Sequence, residues 1–272
     1  MTTRLALIVG SGALVPEVVS AARQRGFALK ILSLHRRSDL RGHDPVLFRL
    51  SEPEAAVATI KAFGATHFSL AGGVSLSDIA REKLAGFFAG PAGRQSIGDS
   101  SLSDLVARLE AITGARPMGV HEIAPDLLAP LGSLGGPVPT PSQEDAALYA
   151  LRLAREAGSL DLGQAVVVAG QRAVAAEDIG GTDQLIARVR RLRWRGLVAD
   201  GASPLVLAKC PKPQQPLFVD LPAIGPRTVA NAKRAGIGMI AIAAGGTIVI
   251  ERQRVREQAD RLGVCVFGYP HA

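Results

Sequence analysis

The chain has 272 residues, 47% of them apolar but only 4% aromatic, which allows one large domain or two ordinary ones with aliphatic cores. A formal net charge of +7 favours anionic partners such as phosphates, nucleic acid or acidic lipid. The two cysteines, Cys210 and Cys265, exclude a disulfide framework and fit a reducing compartment. Since no apolar run is long enough to span a bilayer, we expect a cytoplasmic protein, and contact with a membrane surface stays open.

The first half alternates strand and helix patterns. Strands are predicted over residues 4–9, 28–34 and 66–70, and helices over 14–25 and 52–63. Two glycine turns follow strands, Gly10-Ser11-Gly12 and the pair Gly72-Gly73. In an open parallel sheet, ligands bind at the carboxyl ends of the strands. The pattern therefore predicts a Rossmann-like α/β domain with a mainly parallel sheet and both turns at its ligand-binding edge.

The first glycine turn also permits a dinucleotide-binding interpretation. The fingerprint is incomplete, because Val15 stands where its third glycine belongs. The basic run His35-Arg36-Arg37 after the second strand could hold a 2′-phosphate, which keeps an NADP-binding oxidoreductase as an alternative. The other interpretation is a tight strand-to-helix turn beside a solvated basic loop.

The middle of the chain contains the expected domain boundary. Residues 95–101 are predicted to cap a helix that ends near Thr113, and a strand over 115–120 is predicted to end at His121-Glu122. The Pro- and Gly-rich stretch 125–141 is the best linker candidate. We therefore expect an N-terminal domain over residues 1–132 and a C-terminal α/β catalytic domain over 133–272.

The second half also alternates helices and strands. The predicted helices are 142–157, capped by Ser142, one capped by Thr182 that includes 188–195, 228–235 after Pro226, and 252–262. The predicted strands are 164–168, 237–244, 247–250 and 264–267, and residues 204–208 form a further apolar run. Residues 188–195 carry five arginines with Leu192 and Trp194. These could meet anionic lipid headgroups, although an ordinary solvated helix end is favoured.

The segment 209–229 reads K-C-P-K-P-Q-Q-P-L-F-V-D-L-P-A-I-G-P-R-T-V. Its prolines fix the backbone, so it is either a rigid loop carrying Lys209, Lys212 and Asp220 for chemistry or a stiff connection with solvated charges. The chain has no P-loop, H-E-x-x-H or G-x-S-x-G motif, no pair of histidines at zinc-ligand spacing and no aromatic platform for nucleic acid. Carboxylates and lysines at turns suit phosphate chemistry with a bound Mg²⁺.

Motifs along nearly the whole chain resemble the UDP-2,3-diacylglucosamine pyrophosphatases of the LpxI type. The long stretches V-H-E-I-A-P-D-L-L-A-P at 120–130 and K-C-P-K-P-Q-Q with D-L-P-A-I-G-P-R-T-V within 209–229 are the most specific. Shorter matches are L-A-L-I-V-G-S-G-A-L-V-P at 5–16, L-A-G-G-V at 70–74, I-G-D at 97–99, G-Q-A-V-V-V at 163–168 and G-T-D at 181–183.

The resemblance implies two α/β domains holding a lipid-linked UDP-sugar and a hydrolysis that yields UMP and lipid X. It implies catalysis by Asp220, with Lys209 and Lys212 countering phosphate charge, and a divalent cation, typically Mg²⁺, held by Asp220, Asp99 and Asp183. The expected substrate-binding residues are Gly10, Ser11, Gly12, Gly72, Gly73, His121, Glu122, Gln164, Thr182, Gln215, Gly225, Thr228 and Gly245. Peripheral contact with the inner membrane and a homodimer remain open; nucleic acid is not expected.

Four positions depart from the family pattern. Ser100, Gly180 and Pro216 stand where the family has acidic residues, and Phe218 stands where it has arginine. If those acids help to bind metal, the metal affinity of this chain should be lower or its site different. The alternative to hydrolysis is therefore a divergent relative that binds a nucleotide or lipid-linked ligand without cleaving it.

Overall fold

The computed structural model describes residues 2–73, 100–198, 201, 203–214, 216, 218 and 221–270. It divides into two compact units, Met1–Pro125 and Asp126–Ala272. The sequence interpretation placed this division between residues 132 and 133. Among the described residues, no helix combines the length and the apolar character that a bilayer span requires.

The first unit is built on a parallel five-stranded sheet. In chain order its elements are β1 (Arg4–Val9), α1 (Leu14–Gln24), β2 (Ala28–Ser33), β3 (Val46–Leu47), α2 (Pro53–Phe63), β4 (His67–Ala71), α3 (Ser100–Thr113), β5 (Arg116–Pro117) and α4 (Val120–Ile123). The strand order is β3-β2-β1-β4-β5, and all four neighbouring pairs are parallel. This is the doubly wound order of the Rossmann fold, as the alternating pattern predicted.

Amphipathic spacing explains how α1 covers this sheet. Its buried residues Val15, Val18, Val19 and Ala22 follow the i, i+3, i+4, i+7 spacing of one helix face. The chain leaves β1, reverses through the glycine turn and returns along the sheet as α1. That connection fixes the turn at the carboxyl end of β1.

The predicted strand over 115–120 is wrong beyond its first half. Only Arg116–Pro117 pair with β4, and Val120 begins the short helix α4. Gly119 is the N-cap residue of α4, and its backbone N–H donates to Glu122 Oε2 at 2.6 Å. This capping contact satisfies a backbone donor that the end of a helix would leave unpaired, so the helical turn is stabilised where a strand was expected.

The second unit is built on a mixed six-stranded sheet. Its elements are β6 (Gly132–Gly135), α5 (Pro141–Ser159), β7 (Ala165–Ala169), β8 (Arg172–Ala176), α6 (Gly181–Trp194), β9 (Leu205–Lys209), β10 (Ala223–Ile224), α7 (Pro226–Arg234), β11 (Met239–Ala243), β12 (Ile248–Val249), α8 (Arg252–Leu262) and β13 (Cys265–Tyr269). The sheet order is β6-β13-β11-β9-β7-β8, with β9, β11 and β13 mutually parallel, and β10 pairs separately with β12.

The six-stranded sheet is buried on both faces. Residues of one parity, such as Val167, Leu207 and Ile240, pack into a core with α6, α7 and α8. Residues of the other parity, such as Val168 and Met239, pack against the alanine-rich face of α5. Because successive strand residues point to opposite faces, two cores require continuously apolar strands, and this explains the unbroken apolar runs of the sequence.

The Pro- and Gly-rich stretch 125–141 is not simply a linker. It contains β6, which pairs antiparallel with β13. A Cβ at Gly136 would overlap the backbone of Val264, so glycine at this position allows the segment to lie close against the sheet. The following helix begins two residues earlier than predicted, because Thr140 rather than Ser142 is the N-cap and forms a capping box with Gln143.

Candidate functional site

The two glycine turns of the first unit bind each other. Ser11 N donates to Gly73 O at 2.8 Å and Gly73 N donates to Ser11 O at 2.8 Å, while Ser11 Oγ also donates to Gly73 O at 3.0 Å. Gly72 has a φ of +86°, and a Cβ at this position would overlap the Ser11 carbonyl oxygen. Five of the predicted substrate-binding residues, Gly10, Ser11, Gly12, Gly72 and Gly73, therefore form one paired structure.

Arg37, from the predicted 2′-phosphate site, stabilises the same turn. Its guanidinium donates to Gly10 O and Gly12 O, both at 2.8 Å, and to the carboxylate of Asp39 at 2.6 Å and 3.0 Å. The hydrogen bond from Arg37 holds the pKa of Asp39 below its ordinary value. The structure thus gives Arg37 a role within the protein, which removes much of the motivation for an NADP site.

The predicted ligand-binding pair His121 and Glu122 lies on α4 rather than after a strand. The side chain of Glu122 caps its own helix, and its carbonyl oxygen accepts a hydrogen bond from Arg25. His121 Nδ1 is buried and has no hydrogen-bond partner among the described residues. Of the two side chains, the imidazole of His121 thus has the unused polar atom.

A buried lysine in the second unit ends a hydrogen-bonded chain. Lys209, the last residue of β9, is only 8% exposed. Its Nζ donates to Thr182 Oγ1 at 2.7 Å and to Ala223 O at 3.2 Å, and Thr182 Oγ1 donates onward to Glu177 Oε1 at 2.5 Å. The second carboxylate oxygen of Glu177 accepts from Gln164 N at 2.8 Å. An ammonium group held in this way can neutralise a phosphoryl oxygen without reorganising.

Thr182 was expected to cap its helix, but it does not. The helix begins at Gly181 with Gly180 as its N-cap residue, and no side chain supplies a cap hydrogen bond. The hydroxyl of Thr182 instead connects Lys209 and Glu177, so its predicted place in the site has a different structural basis. Sequence reasoning did not single out Glu177, because one acidic residue in a polar loop belongs to no motif.

Lys212, in the segment 209–229, forms an ion pair with Asp161. Its Nζ lies 2.7 Å from Asp161 Oδ1, and its side chain is 10% exposed. The pair fixes the segment 209–229 to the end of α5, because Asp161 closely follows that helix. The structure therefore assigns Lys212 an anchoring contact, whereas Lys209 bonds to a hydroxyl and a carbonyl.

The predicted metal ligand Asp183 faces basic and amide groups. It accepts from Arg227 at 2.5 Å and from Asn231 at 3.1 Å, both on α7. Within the ranges that the structure describes, no three His, Cys, Asp or Glu residues cluster as a metal site would require. The other two predicted ligands, Asp99 and Asp220, lie outside the described residues, as does Gln215. Of the three predicted ligands, only Asp183 therefore lies within the described residues.

Three predicted residues of the second unit shape turns. Gly225 is the N-cap residue of α7, and its N–H donates to Thr228 Oγ1 at 3.2 Å. Gly245 has a φ of +70° between β11 and β12, and its N–H donates to Ala129 O at 2.9 Å. Lys209 is the last residue of β9, and Gly225 directly follows β10.

Comparison with known proteins covers both units. The LpxI N-terminal domain matches residues 4–127 and the LpxI C-terminal domain matches residues 130–267. A curated protein of Caulobacter vibrioides named UDP-2,3-diacylglucosamine pyrophosphatase LpxI is 34% identical, with 97% of each chain covered. The two domain matches together extend from residue 4 to residue 267. The chain therefore belongs to the LpxI family.

Proposed function

We propose that the chain hydrolyses the pyrophosphate bond of UDP-2,3-diacylglucosamine to UMP and lipid X. The proposal is carried by its likeness to the Caulobacter vibrioides pyrophosphatase over 97% of both chains. Water attacks the α-phosphorus, the bond from that phosphorus to the bridging oxygen breaks, and the β-phosphate leaves on the sugar. The hydrogen bonds that link Lys209, Thr182 and Glu177 support the proposal, because they hold the ammonium group of Lys209 in place at the end of β9.

Each residue role in this reaction is part of the proposal. Lys209 neutralises a phosphoryl oxygen, and Asp220 positions the water and accepts its proton. The paired turns around Ser11 and Gly73 approach an anionic part of the substrate with backbone groups. Gly12, Gly72, His121, Gln164, Gln215, Gly225, Thr228 and Gly245 are the other expected substrate contacts, and Lys212 supports the loop.

A divalent cation, Mg²⁺ or a similar ion, is the proposed cofactor. When bound, such an ion would polarise the phosphoryl oxygen and neutralise developing charge. Asp99, Asp183 and Asp220 are the proposed ligands, although Asp183 would have to exchange its contacts with Arg227 and Asn231 to serve. Removal of divalent ions with EDTA should abolish UMP release, and titration of Mg²⁺ should restore it in the wild type.

The decisive experiment follows UMP release in oxygen-18 water. The wild type should release UMP with the label in UMP and none in lipid X, since the attack is on the α-phosphorus. Asp220→Ala should release none, and Lys209→Met should be at least tenfold slower, with both variants folded by circular dichroism. Label in lipid X would contradict the direction of attack.

The lost acidic positions Gly180 and Pro216 favour one other function, ligand binding without hydrolysis. Folded wild-type protein that binds UDP-2,3-diacylglucosamine by calorimetry, yet releases no UMP with any divalent ion, would establish that alternative. The NADP-binding alternative predicts a thermal shift with NADPH, which we do not expect because Arg37 is engaged by the glycine turn. A homodimer remains a proposal that light scattering tests.

A further inference from the structure

The carboxyl end of α6 exposes an unusual combination of side chains. Trp194, the only tryptophan of the chain, is 88% exposed, and Leu197 just beyond the helix is 55% exposed. Arg188, Arg191 and Arg195 lie at i, i+3 and i+7, and Arg190 lies one turn before Trp194. Residues at these spacings share one side of a helix. Arg190 and Arg191 therefore lie beside Trp194, and Arg188 and Arg195 lie on the adjoining exposed surface next to Arg191.

This face is separate from the side of α6 that packs in the core. Leu185, Ile186 and Val189 are buried against the sheet. Arg193 also belongs to the packed side, since its guanidinium lies where a Cβ on Gly236 would be. The four remaining arginines are exposed, and they make no hydrogen bond or ion pair with other described residues. Their charge is available to an external partner.

The neighbouring helix adds to the same charge. Asp183 at the start of α6 contacts Arg227 at the start of α7, and Arg193 near the end of α6 contacts Gly236 just after α7. The two helices therefore run side by side in the same direction. The exposed residues Lys233 and Arg234 of α7 lie at their shared end. Residues 184–198 contain no acidic residue that could offset this charge.

The helix dipole explains only part of this arrangement. Cations in the last turn of a helix are stabilised by its carbonyl end, which accounts for Arg191. It does not account for an exposed tryptophan, because burial of an indole is favourable. Tryptophan beside arginines is the combination that suits the boundary between lipid headgroups and acyl chains. Charge and apolar surface together select a lipid surface over a soluble anion.

We propose that this surface, formed by Arg188, Arg190, Arg191, Trp194, Arg195 and Leu197, docks the protein on an anionic phospholipid bilayer. The arginines contact the headgroup phosphates, while Trp194 and Leu197 enter the interface. Lys233 and Arg234 add to the electrostatic attraction. The proposal concerns attachment and holds whether or not the bound protein hydrolyses the proposed substrate.

Trp194 reports directly on this contact, because no other tryptophan contributes to the fluorescence. Vesicles of phosphatidylglycerol and phosphatidylcholine should shift its emission to the blue, and acyl-chain-brominated lipid should quench it. Vesicles of phosphatidylcholine alone should do neither. Added salt should weaken the binding, since exposed charges are screened.

A matched pair of variants separates this surface from net charge. The first double variant combines Arg188→Gln with Arg195→Gln. The second combines Arg256→Gln with Arg261→Gln, on the exposed side of α8. Each double variant removes two positive charges. At about fivefold per arginine near an anionic surface, the first pair should weaken vesicle partitioning about 25-fold. The second pair should change it less than about twofold, and thermal unfolding should confirm that both variants fold.

Three results would overturn the proposal. The first is the absence of any blue shift or quenching of Trp194 with anionic vesicles. If RNA shifts the emission and anionic vesicles do not, the surface binds nucleic acid instead, and the proposal is likewise overturned. The second is equal loss of binding in the two double variants, which would show attraction by overall charge. The third concerns the protein without lipid. If its emission maximum is already shifted to the blue and moves to the red when a dimer dissociates on dilution, this face is a contact between two copies of the chain.

Discussion

Replacement of Glu177 by glutamine tests whether the chain of hydrogen bonds behind Lys209 contributes to catalysis. The carboxylate accepts from two donors, Thr182 Oγ1 at 2.5 Å and Gln164 N at 2.8 Å. An amide has only one acceptor oxygen, so one of its N–H bonds must face either the backbone N–H or the hydroxyl. If it faces the hydroxyl, Thr182 Oγ1 accepts from both the amide and Lys209 Nζ, and its own proton loses its acceptor. Glutamine therefore disturbs the lysine without changing the volume of the side chain.

The size of this effect follows from the bonds at stake. A hydrogen bond to a charged group contributes about 1.5–3 kcal/mol, which corresponds to a fall of about 10- to 150-fold in kcat/KM if it is lost in the transition state. The assay is UMP release under saturating and limiting substrate. Because Glu177 connects to Lys209 through Thr182, we expect it to act by positioning the lysine, with most of the loss in kcat.

Neighbouring substitutions provide the controls. Asp178→Asn keeps an oxygen that can accept the N–H of Gly180, now 2.8 Å from Asp178 Oδ1, and should alter kcat/KM less than about twofold. Thr182→Ser retains the hydroxyl and should keep most of the activity, whereas Thr182→Val should resemble Glu177→Gln. A folded Glu177→Gln protein with wild-type kcat, from a wild type that does release UMP, would refute the positioning role and leave the proposed reaction intact.

Two further predictions concern stability. Gly72→Ala should destabilise the first unit by about 2–5 kcal/mol, because the backbone is left-handed and the added Cβ would overlap the Ser11 carbonyl oxygen. The control Gly26→Ala should cost only about 1–2 kcal/mol, since Gly26 has a φ of +73° but open space around it. Urea unfolding of the full chain measures both losses. Burial raises the pKa of Cys210 and Cys265 from 9.0 to about 11, so their contribution to stability is complete below pH 9.0 and is lost as pH rises toward 11. At a pH of about 10 the free energy of unfolding should have fallen by about 1.4 kcal/mol per thiol. A variant with both cysteines replaced by alanine should lose less stability between pH 9.0 and 11 than the wild type does. An equal loss in the two proteins would contradict the raised pKa values.

Periodicity predicted the elements of this fold well where one physical requirement dominated. The helix over 252–262 was predicted with its observed bounds, because its apolar positions follow one face. The apolar run over 237–244 was predicted as a strand and contains β11, whereas the run over 204–208 was noted only as apolar and contains most of β9. A sheet covered on both faces requires such continuous apolar runs. Their spatial order, β13-β11-β9-β7, could not be predicted, because every one of these strands is equally apolar.

The errors occur where a local pattern has a long-range cause. Glycine and proline between residues 125 and 141 resembled a linker, but Gly136 is required by the close approach of Val264. That contact joins segments far apart in the sequence and has no local pattern. Glu177 was missed for the same reason, because its importance comes from a hydroxyl five residues away and a lysine on another strand. Motif resemblance found Thr182 and Lys209 but not the carboxylate that connects to them.

The glycine turn of the first unit shows how two apparent ligand motifs can be one structural device. Gly10-Ser11-Gly12 and the basic run at 35–37 each suggested nucleotide binding when considered alone. In the structure Arg37 donates to Gly10 O and Gly12 O, while Ser11 bonds on its other side to Gly73. The turn is thus held by a side chain on one flank and a backbone pair on the other. The N-terminal sheet edge has a rigid turn without a dinucleotide fingerprint, and this agrees with a chain of the LpxI family better than with an oxidoreductase.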